Sequence, residues 1–240
     1  MPGPSRSPAP TTPPAVAASR DLPRFTYGRS IRGFPADPAP VSLKAVDEGL
    51  TPTRKLAVYD APGGRPRAFL PRTISGLAVT LPIVERRSGW VAVLLPTANR
   101  RIGWLPAGGW HTQPLRDQII VRRKQHQMIW VRDGHRLASW TVGIGAGRTA
   151  TPLGRTFVFG RTPTASAVYA GLDAIVLGAV PDDRSALAPS LREAHTAIHG
   201  WYRDSAFGAS VSNGCVRVPK AAQRTLLQYL IPGTTVHVID

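Results

Sequence analysis

The chain has one cysteine, two methionines and four lysines in 240 residues. A single cysteine excludes an internal disulfide framework and any multi-cysteine zinc or iron–sulfur site, so Cys215 can matter only as a lone thiol. Long apolar runs are also missing. The longest near the start is Ala15 to Ala18, too short for the apolar region of an export signal, and no stretch approaches a membrane span. Acidic groups are scarce: 14 Asp and Glu stand against 30 Lys and Arg, a formal charge of +16. That charge is spread, net +9 over residues 1–110 and +7 over 111–240, and its densest basic run is only Arg122-Arg123-Lys124. Neither a recognition helix nor a basic stripe interleaved with aromatics is visible, so a nucleic-acid partner is not expected. Of the cations, 26 are arginine, which goes with the Ala, Pro, Gly and Arg bias of a GC-rich genome. A diffuse positive surface suits adsorption to a polyanion such as the anionic polymers of a cell wall.

With 42% apolar and 18% charged residues, most of the chain should fold, as one large or two small domains. The first 40 residues hold 10 of the 24 prolines, with Ser, Thr and Ala filling most gaps, and residues 1–50 are predicted to be a disordered linker or tail. Residues 51–112 alternate short apolar runs with turn residues: Lys55–Tyr59, Ala61-Pro62-Gly63-Gly64, Leu77–Val84, Gly89–Leu95 and Gly103-Trp104-Leu105-Pro106. They predict an all-β module, whose two Gly-Trp pairs resemble a bacterial SH3-like barrel.

From residue 117 to 240 the strand signals sharpen. Ile119–Val121 and Met128–Val131 flank a polar break, Asp133-Gly134 marks a turn, and Arg136–Val142 alternates again. Thr156–Phe159, Ala174–Leu177, Thr196–His199 and Thr234–Ile239 complete a mainly β domain. One helix is expected, entered at Pro219, carrying Ala221, Ala222, Leu226, Leu227 and Leu230 at helical spacing, and closed by Pro232-Gly233.

The densest polar constellation is Ala197-Ile198-His199-Gly200, followed sixteen residues after the histidine by Cys215 within Ser210–Val218. A thiol of pKa ~8.5 is only about 3% thiolate at pH 7, so a nucleophilic cysteine needs a base or nearby positive charge. His199 is the candidate base and Arg217 a fixed cation. In an extended segment Arg217 falls on the Cys215 face, roughly 7 Å along, where its charge is worth about 2 kcal/mol, somewhat over one pKa unit. Gly214 removes a side chain where backbone N–H groups would approach an oxyanion, and Ser212 and Asn213 add donors beside it.

His199-Gly200 and Ser212-Asn213-Gly214-Cys215-Val216-Arg217, with Thr151-Pro152-Leu153-Gly154 upstream, closely resemble the signature of the L,D-transpeptidase catalytic domain, the YkuD-like fold. The resemblance implies a β-sandwich with one C-terminal helix following the SH3-like barrel, and a two-step acyl transfer with no cofactor. In it a cysteine attacks the carbonyl before the terminal D-alanine of a peptidoglycan stem tetrapeptide, D-alanine leaves, and an amine of a second stem resolves the thioester as a 3→3 cross-link. Carried over, Cys215 is the nucleophile, His199 the base, and the Gly214 and Cys215 N–H groups the oxyanion hole. Arg217 then binds a substrate carboxylate, Ser212 holds the loop or a substrate group, and the Gly200 carbonyl orients His199. Asn213 stands where relatives often carry histidine, and Trp201 and Tyr202 would line the acyl-donor groove. The implied partners are stem peptides and anionic wall polymers, the protein acting as a monomer outside the cytoplasmic membrane. No export signal is present in the sequence as given, which suggests a start further upstream.

Other readings carry less. His195 and His199 have the spacing of half a zinc site, but in a strand they would lie some 13 Å apart, so no metal is expected. Gly143–Arg148 lacks the Lys-Ser/Thr of a phosphate loop and reads as a turn between strands. His111, His126, His135 and His237 stand in no arrangement that argues for chemistry. Two alternatives remain: a hydrolytic L,D-carboxypeptidase on the same fold, and a non-catalytic wall-binding protein.

Overall fold

The structure is a computed structural model that describes residues 12–27, 30–97, 100–163, 166–178 and 196–240. Its first nine strands are β1 (Glu48–Pro52), β2 (Leu56–Tyr59), β3 (Pro66–Leu70), β4 (Thr73–Ile74), β5 (Leu77–Ala78), β6 (Leu81–Arg87), β7 (Trp90–Leu94), β8 (Ile102–Pro106) and β9 (Trp110–Pro114). Seven form one sheet in the order β3-β2-β8-β7-β6-β1-β9, with β4 and β5 paired apart. β7 is buried along its whole length, as its unbroken Trp-Val-Ala-Val-Leu run demands of a strand in mid-sheet.

The second half supplies β10 (Asp117–Arg122), β11 (Gln127–Arg132), β12 (His135–Thr141), β13 (Ile144–Gly145), β14 (Gly154–Thr162), β15 (Ala174–Leu177), β16 (Ala197–Gly200), β17 (Ser210–Ser212), β18 (Val216–Val218), α1 (Lys220–Tyr229) and β19 (Thr235–Ile239). Eight of these strands form a mixed sheet in the order β12-β11-β10-β19-β14-β15-β16-β18. The Asp133-Gly134 turn joins β11 to β12 with both residues at positive φ, 49° and 79°, the type I′ geometry that this dipeptide favours. α1 is the one α-helix among the described residues, and it seats Ala222, Leu226 and Leu230 in the core beneath β16 and β18. The fold is mainly β with one helix. Among the described residues no helix is long and apolar enough to cross a membrane.

From residue 12 on, the proline-rich start differs from expectation, and residues 1–11 of that segment lie outside the described residues. Most of residues 12–47 carries no regular structure, yet this stretch packs against both sheets instead of trailing free. Too polar to make a core alone, it lends Phe25 and Phe34, whose rings lie 5.5 Å apart, to the core of the first sheet. Its backbone is satisfied by its neighbours: Trp90 Nε1 donates to Pro13 O at 2.9 Å, Tyr59 Oη to Val16 O at 2.7 Å, and Phe25 N to Phe69 O at 2.9 Å. It then reaches the second sheet. Asp37 takes a bidentate pair from Arg155 on β14, both bonds 2.6 Å, and Ser42 O accepts from His237 Nδ1 on β19. The two cores also meet directly, because Phe157 and Phe159 of β14 belong to the cluster under the first sheet.

Candidate active site

β16 and β18 run parallel with Ile198 opposite Val216, His199 opposite Arg217 and Gly200 opposite Val218. Side chains alternate along each strand, so this register sends Ile198, Val216 and Val218 into the core and puts His199 and Arg217 together on the other face. Cys215, two residues before Arg217, shares that face. A diagonal of one strand spacing and two residues separates the His199 and Cys215 backbones by about 8 Å, within reach of an imidazole and a thiol turned towards each other.

His199 Nδ1 lies 2.9 Å from Gly200 O. A carbonyl only accepts, so Nδ1 carries the proton, and Nε2 of the neutral ring keeps its lone pair. The Tyr169 ring, from the 3-10 turn Ala167–Tyr169, stands perpendicular to the His199 ring, their centroids 4.6 Å apart at 82°. Gly200 is buried, and a Cβ there would stand 3.1 Å from Tyr169 O, so the absence of a side chain lets this turn close over the histidine. Burial holds the imidazole neutral, its pKa pulled down to about 4; the Gly200 carbonyl opposes this and the Arg217 charge adds to it.

The cysteine loop is tied from within. Ser212 Oγ donates to Cys215 O at 2.6 Å and accepts from Gly214 N–H at 3.1 Å, while Gly214 holds φ at +116°, where an L side chain is strained. Below it, Gly143 exchanges two backbone bonds with Arg217, of 2.9 and 2.8 Å, and β13 pairs with β17. Thr151 Oγ1 accepts from Gly145 N at 2.8 Å, so the Thr-Pro-Leu-Gly element fastens this support. The Gly143–Arg148 run is thus more than a turn. It contains β13, and its glycines allow the approach: a Cβ on Gly143 would meet Ala206 O at 2.5 Å and one on Gly145 would meet Thr149 O at 2.1 Å.

A family model for the L,D-transpeptidase catalytic domain (YkuD) matches residues 116–238, just over half of the chain. The chain belongs to this L,D-transpeptidase family. Solved structures similar to it include an L,D-transpeptidase from Mycobacterium smegmatis, at 14% identity and TM-score 0.44, covering 67% of this chain and 82% of that one. The catalytic domain of the E. faecium L,D-transpeptidase is 21% identical with TM-score 0.37, covering 51% and 96%. Mycobacterium tuberculosis L,D-transpeptidase 1 is 14% identical with TM-score 0.37, covering 58% and 77%. No curated protein matches the chain.

Several residues of this L,D-transpeptidase domain stand otherwise than the sequence implied. The Gly214 N–H, expected to face an oxyanion, is engaged by Ser212 Oγ at 3.1 Å. Ser212 is buried with its hydroxyl bonded to the loop, the first of the two arrangements expected of it. Burial pushes the Cys215 thiol up, outweighing both a hydrogen bond from the Ala197 backbone and the Arg217 charge that was expected to lower it. Both groups therefore rest neutral, one as a thiol and the other as an imidazole. Arg217 lies over Trp201 with 3.6 Å to the ring centroid, Tyr202 is half exposed beside Trp201, and Asn213 is exposed.

Two residues escaped the sequence reading. Tyr169 gave no signal, being distant in sequence from both motifs. Gln223 was legible as the lone polar residue among the apolar positions of α1: wholly buried, it donates to Asp173 O at 2.6 Å and Ile198 O at 3.3 Å, tying helix to β16. Among the described residues no three His, Cys, Asp or Glu side chains group as metal ligands. His195 of the rejected zinc pair lies outside the described residues.

Proposed function

We propose that this chain is an L,D-transpeptidase that forms 3→3 peptidoglycan cross-links through a Cys215 thioester. The observation that carries the reading is the placement of His199, Arg217 and Cys215 on one face of the β16–β18 pair, with His199 Nδ1 donating to Gly200 O. That bond leaves Nε2 as the acceptor for the thiol proton. As the proton leaves, Sγ attacks the carbonyl between the third stem residue and the terminal D-alanine. The imidazolium returns the proton to the departing amine, D-alanine leaves, and the thioester remains. The side-chain amine of a second stem then attacks, giving a proton to Nε2 that passes to Sγ as the C–S bond breaks. Arg217, with Nε buried and unpartnered, holds a substrate carboxylate.

Residues 117–240 carry the reaction in this reading, and 51–112 form an SH3-like wall-associated module. The +16 charge favours anionic wall polymers, and the substrate puts the protein outside the cytoplasmic membrane. Incubation with stem tetrapeptides, followed by mass spectrometry, tests the chemistry: a cross-linked dimer with free D-alanine is expected. A tripeptide alone would identify the hydrolytic alternative, and no product would leave a wall-binding protein. Full dimer formation by Cys215→Ala would overturn the nucleophile. Cell fractionation tests the location, and confinement to the cytoplasm would overturn it.

A further inference from the structure

Gln223 is wholly buried on α1, between the core residues Ala222 and Leu226. An apolar residue would suit the helix better there, because an amide taken out of water must find hydrogen-bond partners. Its Nε2 donates to Asp173 O at 2.6 Å and to Ile198 O at 3.3 Å, while Oε1 has no partner among the described residues. Turned the other way, Oε1 would face two carbonyl oxygens, so the pair of carbonyls sets the orientation of the amide.

Those carbonyls belong to the segments that enclose His199. Ile198 is the residue before it on β16. Asp173 ends the connection from the 3-10 turn Ala167–Tyr169 to β15, and that turn brings the Tyr169 ring to the imidazole, centroids 4.6 Å apart. The Gln223 stem also backs Gly200, where a Cβ would lie 3.6 Å from Gln223 Cβ, and the Gly200 carbonyl is the partner of His199 Nδ1. α1 follows β18, the strand of Arg217, and Gln223 N bonds Pro219 O at 3.0 Å. One amide thus ties the tyrosine turn, the histidine strand and the helix after β18.

We propose that Gln223 is a positioning residue for His199, holding the tyrosine turn against β16 so that the imidazole stays covered and keeps its Nδ1 bond to Gly200 O. Being wholly buried, Gln223 does not itself meet substrate. Without its two bonds the turn and the strand part, water reaches the ring, and the imidazolium form is penalised less. The inference deepens the transpeptidase reading and rests on it in taking His199 as the base.

The test is an NMR titration of the histidine ring protons in the full chain, with His199 assigned from His199→Gln. Gln223→Met keeps the length of the side chain, removes both donors and changes no charge, so Arg217 acts on His199 as before. The His199 midpoint, held down to about 4 by burial, should rise by about one unit, while that of His237, buried on β19, should stay near 4. A glutamine that only stabilises the fold would move neither midpoint or both, and either result overturns the proposal. Gln223→Asn, one methylene short of the two carbonyls, serves where Gln223→Met does not fold and should shift His199 in the same direction. Tyr169→Ala opens the cover from the other side; it should raise the His199 midpoint alike, and adding Gln223→Met should raise it little further. An unmoved midpoint in Tyr169→Ala also overturns the proposal. In D-alanine release from stem tetrapeptides, Gln223→Met should lower kcat about tenfold and leave KM within about twofold, whereas a raised KM with kcat kept overturns the positioning role. Absence of D-alanine release by the wild-type chain, alongside a His199 midpoint that moves in Gln223→Met, overturns the transpeptidase reading and leaves the positioning of the imidazole standing.

Discussion

The Arg217 guanidinium lies over the Trp201 ring, 3.6 Å from its centroid, with Nε buried and lacking a hydrogen-bond partner. The ring orients the planar cation and shields one side from water, so its charge acts at nearly full strength on an anion arriving from the cysteine face. Arg217→Lys keeps the charge but not the plane, and Trp201→Leu keeps the plane but not its support. Each should reduce kcat/KM for stem tetrapeptides by about 30-fold, mainly through KM, as expected for losing a desolvated contact worth about 2 kcal/mol. Steady-state D-alanine release measures both, and an unchanged KM in Arg217→Lys would remove Arg217 from carboxylate binding.

The neutral resting states of His199 and Cys215 have their own pH signature. With the His199 pKa near 4 and the Cys215 thiol raised, the imidazole is unprotonated throughout the neutral range, and the thiolate does not form by simple ionisation there. The rate of Cys215 acylation by a carbapenem, followed by intact-protein mass, should be level from about pH 5 to 8 and fall only as His199 protonates near pH 4. A limb centred near pH 6.5 would mean that His199 titrates as an exposed histidine.

Ser212 separates positioning from binding. Ser212→Ala leaves the Gly214 N–H and the Cys215 carbonyl without their hydroxyl partner, at a cost of about 1 to 3 kcal/mol in stability. The loop that carries Cys215 loosens, so kcat should fall while KM for the tetrapeptide stays within about twofold. A rise in KM with kcat preserved would instead place Ser212 against the substrate. Ser212→Thr, which retains the hydroxyl, should restore part of kcat.

What could be read in advance divides along physical lines. Strands such as β7 and β14, the Asp133-Gly134 turn and α1 follow from periodicity and turn chemistry, which are local. The His199 and Cys215 motifs were legible because a histidine and a lone cysteine set among glycines and small polar residues leave short local marks, but their shared face depends on the parallel register of β16 with β18. The packing of residues 12–47 was hidden because proline-rich composition reports what a segment cannot do alone, and Phe25 and Asp37 are satisfied only by distant partners. The fate of the Gly214 N–H was hidden for another reason. Ser212 could have turned its hydroxyl to loop or to substrate, and only geometry decides between them.

The Asp37–Arg155 pair should behave as a buried clamp. Asp37 is fully buried and Arg155 nearly so, and both carboxylate oxygens are bonded at 2.6 Å. Asp37→Ala strands the guanidinium and should destabilise the fold by about 3 to 5 kcal/mol, seen as a lower urea midpoint. Adding Arg155→Met removes the stranded charge and should recover much of that loss. If the double variant is no more stable than Asp37→Ala, the penalty comes from detaching the proline-rich segment and not from an unpaired charge.

His237 provides a stability test at a distance from the reaction. Its Nδ1 donates to Ser42 O at 2.6 Å, its Nε2 is buried without a partner, and burial draws its pKa down to about 4, as for His199. Unfolded, both histidines titrate near 6.5, so between about pH 6.5 and 4 the unfolded chain binds more protons and stability falls with pH. At pH 5 each histidine should have lost about 2 kcal/mol relative to neutral pH, and the loss levels off below the folded pKa. His237→Gln, which can still donate to Ser42 O but does not titrate, should cut the histidine part of the pH 7 to pH 5 loss by about half in paired urea titrations. An unchanged slope would mean that His237 is protonated within the fold, where the nearby Asp37 carboxylate pulls its pKa upward against burial and the Arg155 charge.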